Sequence, residues 1–556
     1  MKTKTIALII SLVFVSSGLN IPAFAAADGG EFAVLIDGLG SYSRPISTKS
    51  EMAQKFFDQG LRLVYGYYSP EATACFREAL RHDPDGPMPY WGLALALGPI
   101  PNSRFQRFPD DPKEEGRKAI AEARARAAKG TPVEQALIET LSVRYDSESY
   151  IDRDLRDAQY IAAARKTYAR YPKDLEAAYL YVDALMTHAA WSYWSRDGAP
   201  LEGTREAART LERILARNPN HPGAVHLYIH LYESSTHPER ALPQADRLES
   251  LMPKAGHMVH MPSHIYVRTG DYEKAIASNQ RSLAVDTVFQ KDWGDRPTPN
   301  LGTYGLSSRT HARHAWDFIR YAGMLAGNYA RAMEAAKATA AGQSHQGMGA
   351  TQRAASIPWL INKIFGKWDA VLAEPEPAHG SAYLSGLWHY TRGSAYVARR
   401  DFAKADAELQ ALKAACADPS VKELLASANP APAILELSMR ALEGELLSAQ
   451  DQHDAAVKAF AAAVKLQDTL KYIEPPDWGQ SMRLYLGAAL LKAGRAREAE
   501  TVYREDLRDF RNNGWTLFGL AQSLRAQKKN AEASRIEQEF QRAWKNADVT
   551  LKASVF

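Results

Sequence analysis

The chain has 556 residues, 46% hydrophobic and 24% charged, the composition of a folded protein long enough for several domains or one repeat array. Its formal net charge of +4, with no dense basic run, excludes a nucleic-acid footprint. Only two cysteines occur, Cys75 and Cys416, far apart and without a Cys-x-x-Cys partner, which disfavours both a disulfide framework and a thiolate metal site.

Residues 1–25 read as a cleaved leader. Lys2 and Lys4 give a basic start, "IALIISLVFV" (6–15) a short apolar core, and "AFA" (23–25) a small-x-small cleavage signal. The apolar run is too short to span a bilayer, which takes roughly 20 residues. The expectation is export, to the periplasm, of a mature chain that starts near Ala26 and has no transmembrane segment. Removing Lys2 and Lys4 with the leader brings the net charge to +2.

From residue 50 onward the pattern is helical, with apolar residues at spacings of three and four and no strand pattern. The helices recur in pairs. "THPERA" ends at Ala241 and "GDYEKA" at Ala275, a step of 34; Val371 to Ala405 and Ala499 to Ala533 repeat that step. Prolines end helices in "RHDPDG" (81–86), "ARYPKD" (169–174), "ARNPNH" (216–221) and "ESLMPKAG" (249–256), and "GWTLFGLAQSL" (514–524) carries a Trp-x-x-Leu-Gly-like stretch.

This period and these residues resemble the tetratricopeptide repeat (TPR) family. The resemblance implies an all-α, right-handed helical solenoid with a concave groove lined by the first helix of each pair. The organisation expected is a leader (1–25), an N-terminal extension (26–49), a first repeat set (50–286) that contains the histidine-rich repeats (222–286), an insertion loop near the groove (287–312), a second repeat set (313–545) and a tail (546–556). The segment "YIEPPDWGQSMR" (472–483) reads as a structural loop between late repeats, with a turn toward the groove mouth as the alternative.

Six of the 15 histidines fall between His226 and His264, where an even scatter would place about one. They sit in "AVHLYIHLYESS" (224–235) and "GHMVHMPSHIYVRTGDY" (256–272). Counting from the helix-ending prolines, His226 and His260 share position 5 of their repeats, and His230 and His264 share position 9. Glu233 is position 12 and His257 position 2. The TPR resemblance implies that positions 2, 5, 9 and 12 face the groove, and spacings of three and four do put residues on one helical face. Pro262 is expected to loosen or restart the second helix. By the same count Asp183, His314, Asp317 and Tyr321 join that face, with Tyr179 and with His311 just ahead of its helix. His221 and His237, beside prolines at helix boundaries, do not.

Imidazoles and carboxylates without thiolate suit Zn, Cu or Fe, and so many ligands suffice for one ion or two. The expected metal set is His226, His230, Glu233, His257, His260, His264 and His314. Arg268, at position 13, is the candidate for holding a substrate carboxylate, and Tyr266 and Tyr321 are candidates for donating protons or stacking. There is no His-Glu-x-x-His motif, no phosphate-binding glycine loop, no Gly-x-Ser-x-Gly elbow and no dinucleotide fingerprint. The pair of histidine stretches also resembles exported bacterial TPR proteins with HLYIH and HMPSHI signatures, a likeness that names no substrate. Three readings remain open at this point: a metalloenzyme, oxidoreductase before hydrolase; a metal store or carrier; and a non-catalytic scaffold whose groove takes a peptide, protein or small acidic ligand.

Overall fold

The computed structural model describes residues 30–101, 113–145, 153–299, 307–377 and 381–556. The expected leader and cleavage site (1–25) lie outside them. Among the described residues there are 25 α-helices and no strand, only two isolated bridges, Trp194 with Pro200 and Leu425 with Pro430. No helix there is long and apolar enough to cross a membrane.

Successive helices pack as neighbours in the pairwise manner of a TPR-like solenoid: Glu51–Tyr65 on Ser69–His82, Ala312–Leu325 on Tyr329–Ala340, Ala382–Ala398 on Phe402–Ala417, and Gly514–Ala526 on Asn530–Ala543. Local chemistry fixes their ends. Asp271 and Asn328 cap the helices that follow them, each side chain accepting from a backbone N–H three residues on. Pro222 opens the Pro222–Glu233 helix, and the His221 ring accepts from Ala224 N–H as its cap. Small residues at pair contacts let helices approach: a Cβ on Gly92 would meet the Phe76 ring at 2.3 Å, and one on Gly487 the Tyr503 ring at 2.4 Å.

The array curls until distant repeats touch. Gly270 ends its helix with φ +81°, and a Cβ there would meet the Arg511 carbonyl oxygen at 2.3 Å. Tyr272 donates to that same carbonyl at 2.7 Å, and Trp515 Nε1 donates to the Met324 carbonyl at 3.0 Å. Residues 30–49 run without helix along the first repeats, held by Gln59, Glu78 and Glu176. In the tail, Ser554 is buried, with its hydroxyl donating to the Leu484 carbonyl at 2.8 Å. Both cysteines are free.

One boundary differs from expectation. The insertion was placed at 287–312, but the Tyr272–Trp293 helix carries the chain on through residue 293. Phe289 and Trp293 keep an apolar face and are buried, so the helix continues until Gly294, at φ +70°. The other described end is pinned too: Ser308 binds Glu71 through both its N–H and its hydroxyl. Residues 300–306 lie outside the described part.

Candidate metal centre

Three helices of the histidine-rich repeats bring the imidazoles together. His226, His230 and Glu233 stand on Pro222–Glu233. Pro262 does interrupt the next segment: Gly256–His260 carries His257 and His260, and Pro262–Thr269 carries His264. His314 comes from Ala312–Leu325, and His311 from the residue that precedes it. The chain therefore converges eight candidate ligands. Ring nitrogens of His226, His230 and His257 lie within 4.8 Å of one another, and so do those of His257, His260 and His311, and those of His260, His264 and His314. The sets share members, so they form one continuous cluster.

The face is not an open groove. His226, His230, Glu233, His257, His260, His264 and His311 are each no more than 2% exposed, and only His314 is partly buried. The turn between the first two helices covers it. Tyr67 lays its ring 4.4 Å from that of His226 and 5.6 Å from that of His257, and Trp191 sets its ring edge-on to His230 at 5.1 Å. Tyr67 has φ 60° and Trp191 φ 69°. Left-handed backbone at a bulky residue costs on the order of 1–3 kcal/mol and marks a position the surroundings over-determine. Burial strips imidazolium of hydration, and neighbouring rings repel it. His226, His230 and His264 are accordingly held down at about 3, and His257, His260 and His314 well below the ordinary value.

What orients the rings is a uniform set of partners on Nδ1. His226 Nδ1 donates to the Tyr65 carbonyl at 2.5 Å and His257 Nδ1 to the Gly66 carbonyl at 2.9 Å. His311 Nδ1 donates to Asp286 at 2.8 Å. His230 Nδ1 donates to Glu233 Oε1 at 2.7 Å, and His264 Nδ1 to the other oxygen of the same carboxylate. His260 Nδ1 meets Asn279 Oδ1 at 2.6 Å, while the Asn279 amide donates to the Ala275 carbonyl at 2.8 Å. A carbonyl oxygen only accepts, so Nδ1 carries the hydrogen and Nε2 keeps a bare lone pair. The Nε2 atoms of His226, His230, His257 and His311 are buried and find no hydrogen-bond partner in the protein. Those of His260 and His264 lie 2.9 Å apart. Held Nδ1 and bare Nε2 is the arrangement in which histidine ligates a metal.

Several expected residues fall elsewhere. Glu233 has both oxygens bound by imidazole Nδ1 atoms, so it orients His230 and His264, and its carboxylate also lies within 4.8 Å of ring nitrogens of both, in a further ligand-spaced group. Burial raises its pKa, with His230 pulling the other way. Asp183 is bound to Arg144 at 2.8 Å, and Asp317 to Arg320 and Arg353 at 2.6 and 3.3 Å, and neither carboxylate joins a ligand-spaced group among the described residues, though the charge of Asp317 acts on His314. Tyr266 points away: its hydroxyl donates to Asp246 at 2.7 Å, because two residues beyond His264 is about 200° round the helix. Tyr321 and Arg268 line a cavity of about 330 Å³ together with Trp191, Tyr472 and Glu474. The 472–483 segment, read first as a structural loop, supplies part of that cavity's wall and rests against the centre, Tyr472 Oη lying 3.4 Å from the Glu233 carbonyl. Sequence reasoning missed Tyr67, Trp191, Asn279 and Asp286, and left His311 outside its metal set. A histidine three residues before His314 was the one available signal.

No family model and no curated protein matches the chain. Among solved structures it is similar to a human IFIT1 dimer with m7Gppp-AAAA, at 11% identity and a TM-score of 0.33, with 89% of this chain and 91% of that one covered. It is also similar to yeast Tom70, at 9% identity and a TM-score of 0.29, with 88% and 92% covered. Likeness at this level says nothing about the chemistry of the centre.

Proposed function

We propose that the protein is an exported TPR-type metalloprotein that holds one or two transition-metal ions on the Nε2 atoms of His226, His230, His257, His260, His264 and His311, with the His314 ring as a further ligand. The observation that carries this is the buried row of Nε2 lone pairs whose Nδ1 atoms are already committed to carbonyl and carboxylate oxygens. A buried polar atom left without a partner costs about 1–3 kcal/mol. Four such atoms in one cluster, each on a ring whose Nδ1 is held by an oxygen, fit a cation that accepts their lone pairs. The all-nitrogen donor set suits Cu, Zn or Fe. Export rests on the leader-like residues 1–25.

Within this reading the chain is an enzyme before it is a store. A cavity of about 330 Å³ ends against Trp191 and Tyr472, one side chain from the cluster. A store has no need of such a chamber. A bound copper or iron would supply electron-transfer and oxygen chemistry, and zinc would supply Lewis acidity. The protein's own residues favour the former. Hydrolysis wants a free carboxylate as base beside the ligands; the two that touch the rings, Glu233 and Asp286, are engaged in orienting them, and Glu474 lies beyond Tyr472 in the cavity wall. Tyr67 and Trp191 exclude water from the ligand face, and Asn279, Asp286 and Glu233 fix ring tautomers. A peptide-binding groove is disfavoured, since the face it would use is buried.

Titration of the metal-stripped, untagged chain with Zn, Cu and Fe tests this. Saturable binding that raises the thermal midpoint, with at least one equivalent lost in a His260→Ala/His264→Ala variant, is the expected result. Binding undiminished by the double variant would place any metal elsewhere.

A further inference from the structure

The cavity beside the histidines has walls of an unusual kind. Trp191, Trp194, Tyr321, Tyr472, Trp478 and Phe510 all line it, beside Leu201, Leu470 and Ile473. Its volume of about 330 Å³ lies at the lower end of small-molecule sites, which run from roughly 300 Å³ upward. Trp191 belongs to this wall and sets its ring edge-on to His230 at 5.1 Å.

Its charges are mostly cancelled within the protein. Arg196 reaches Asp468 at 2.9 Å and Asp509 at 3.2 Å; Arg483 reaches Asp468 at 2.7 Å; Asp477 lies 3.3 Å from Arg353. Lys471 is exposed at the rim. Arg268 differs. It is the one arginine of the lining without a carboxylate partner among the described residues. Its guanidinium donates to two backbone carbonyls, Asp509 at 3.2 Å and Ser235 at 3.4 Å, and its Nε is buried without a partner. It also lies over the Tyr472 ring, 5.7 Å from the centroid. Two acids of the wall, Glu474 and Asp509, are close enough for their charge to act on Arg268 without an ion pair. One Glu474 oxygen accepts from Tyr472 at 2.6 Å, and the other is buried with no partner. Burial pushes this carboxyl up to about 7, with Arg268 pulling it the other way.

A planar cation with unspent donors in a wall that also carries aromatic rings recognises a carboxylate on a ring. We infer that this cavity binds a small aromatic carboxylate, its carboxylate on Arg268 and its ring against Tyr321, Tyr472 and Trp191. That such a molecule is the substrate rests on the metal-centre reading above; that it binds here does not.

Isothermal titration calorimetry on the full chain decides it, with benzoate as the probe, benzamide as its neutral counterpart and inorganic phosphate as an anion without a ring. The expected result is one benzoate per chain, with benzamide and phosphate each weaker by at least about tenfold, the worth of a charge-assisted hydrogen bond. Arg268→Met should weaken benzoate by at least about tenfold and leave the metal content unchanged. Absence of benzoate binding, phosphate or benzamide binding as well as benzoate, or full affinity in a folded Arg268→Met variant would overturn the inference. The wild-type comparison of three probes stands even where that variant does not fold. Benzoate binding by a chain that holds no metal would sustain the site and overturn the metal reading. Metal binding without benzoate affinity would do the reverse.

Discussion

His260 and His264 turn their Nε2 atoms toward each other at 2.9 Å, one helical turn apart across the break at Met261, while Asn279 and Glu233 occupy both Nδ1 atoms. Two lone pairs at that separation repel unless something electrophilic lies between or beside them. A shared proton would make an imidazolium in a fully buried site, where burial and the rings of His257, His311 and His314 all oppose charge. A metal ion removes the conflict without adding a proton. Replacing either histidine with alanine is therefore expected to weaken metal binding by tenfold or more, on the order of a lost ligand. Equilibrium competition against a chelating dye measures it; wild-type affinity in both variants would contradict the assignment.

Glu233 holds His230 and His264 at once. In Glu233→Gln one of the two acceptors becomes an amide that donates, and one ring must turn or change tautomer. Metal affinity is expected to fall roughly 10–100-fold, the usual effect of losing such a partner, with the helical circular dichroism spectrum unchanged. Unaltered affinity would mean that the carboxylate plays no part in orienting the ligands.

The buried rings make the metal-free protein acid-sensitive. His226, His230 and His264 bind a proton near 6.5 in the unfolded chain and only at about 3 in the folded one. The folded value is the lower, so their contribution to stability is complete above about 6.5 and is lost as pH falls through the window between the two values. Each ring costs roughly 1 kcal/mol per pH unit inside that window. Urea unfolding of the metal-stripped chain should show a marked fall in midpoint between pH 7 and pH 5. A flat profile would contradict neutral, buried imidazoles.

Gly256 makes room for the support of His311. A Cβ there would meet Asp286 Oδ1 at 2.2 Å, and Asp286 accepts from both His311 and Tyr68. Gly256→Ala should destabilise by about 1–3 kcal/mol, the range for overpacking a tight site. A thermal midpoint equal to that of the wild type would show that Asp286 moves at no cost.

The core of the centre was legible because two periodicities coincide. A spacing of four within a helix and of 34 between helices puts His226, His230, His260 and His264 on one surface, and no tertiary information is required. The direction of Tyr266 was legible by the same rule and was misjudged. The rest was not legible, because it depends on how far the solenoid curls. The carbonyls that hold His226 and His257 belong to Tyr65 and Gly66, 161 and 191 residues away in sequence. Tyr67, Trp191 and Tyr472 reach the centre from three separate connections between helices. Repeat pattern specifies the neighbour of each helix and leaves the pitch of the array, and hence what closes the groove, to packing.

The central claim is that the imidazole cluster holds transition metal. Its most direct test is elemental analysis of untagged protein, purified from cells supplied with Zn, Cu and Fe, together with the same analysis of His260→Ala/His264→Ala. The account predicts about one to two equivalents of a single metal in the wild type and a loss of at least one in the double variant. Less than about a tenth of an equivalent of every metal, in a chain whose thermal midpoint is also unmoved by added metal, would contradict it.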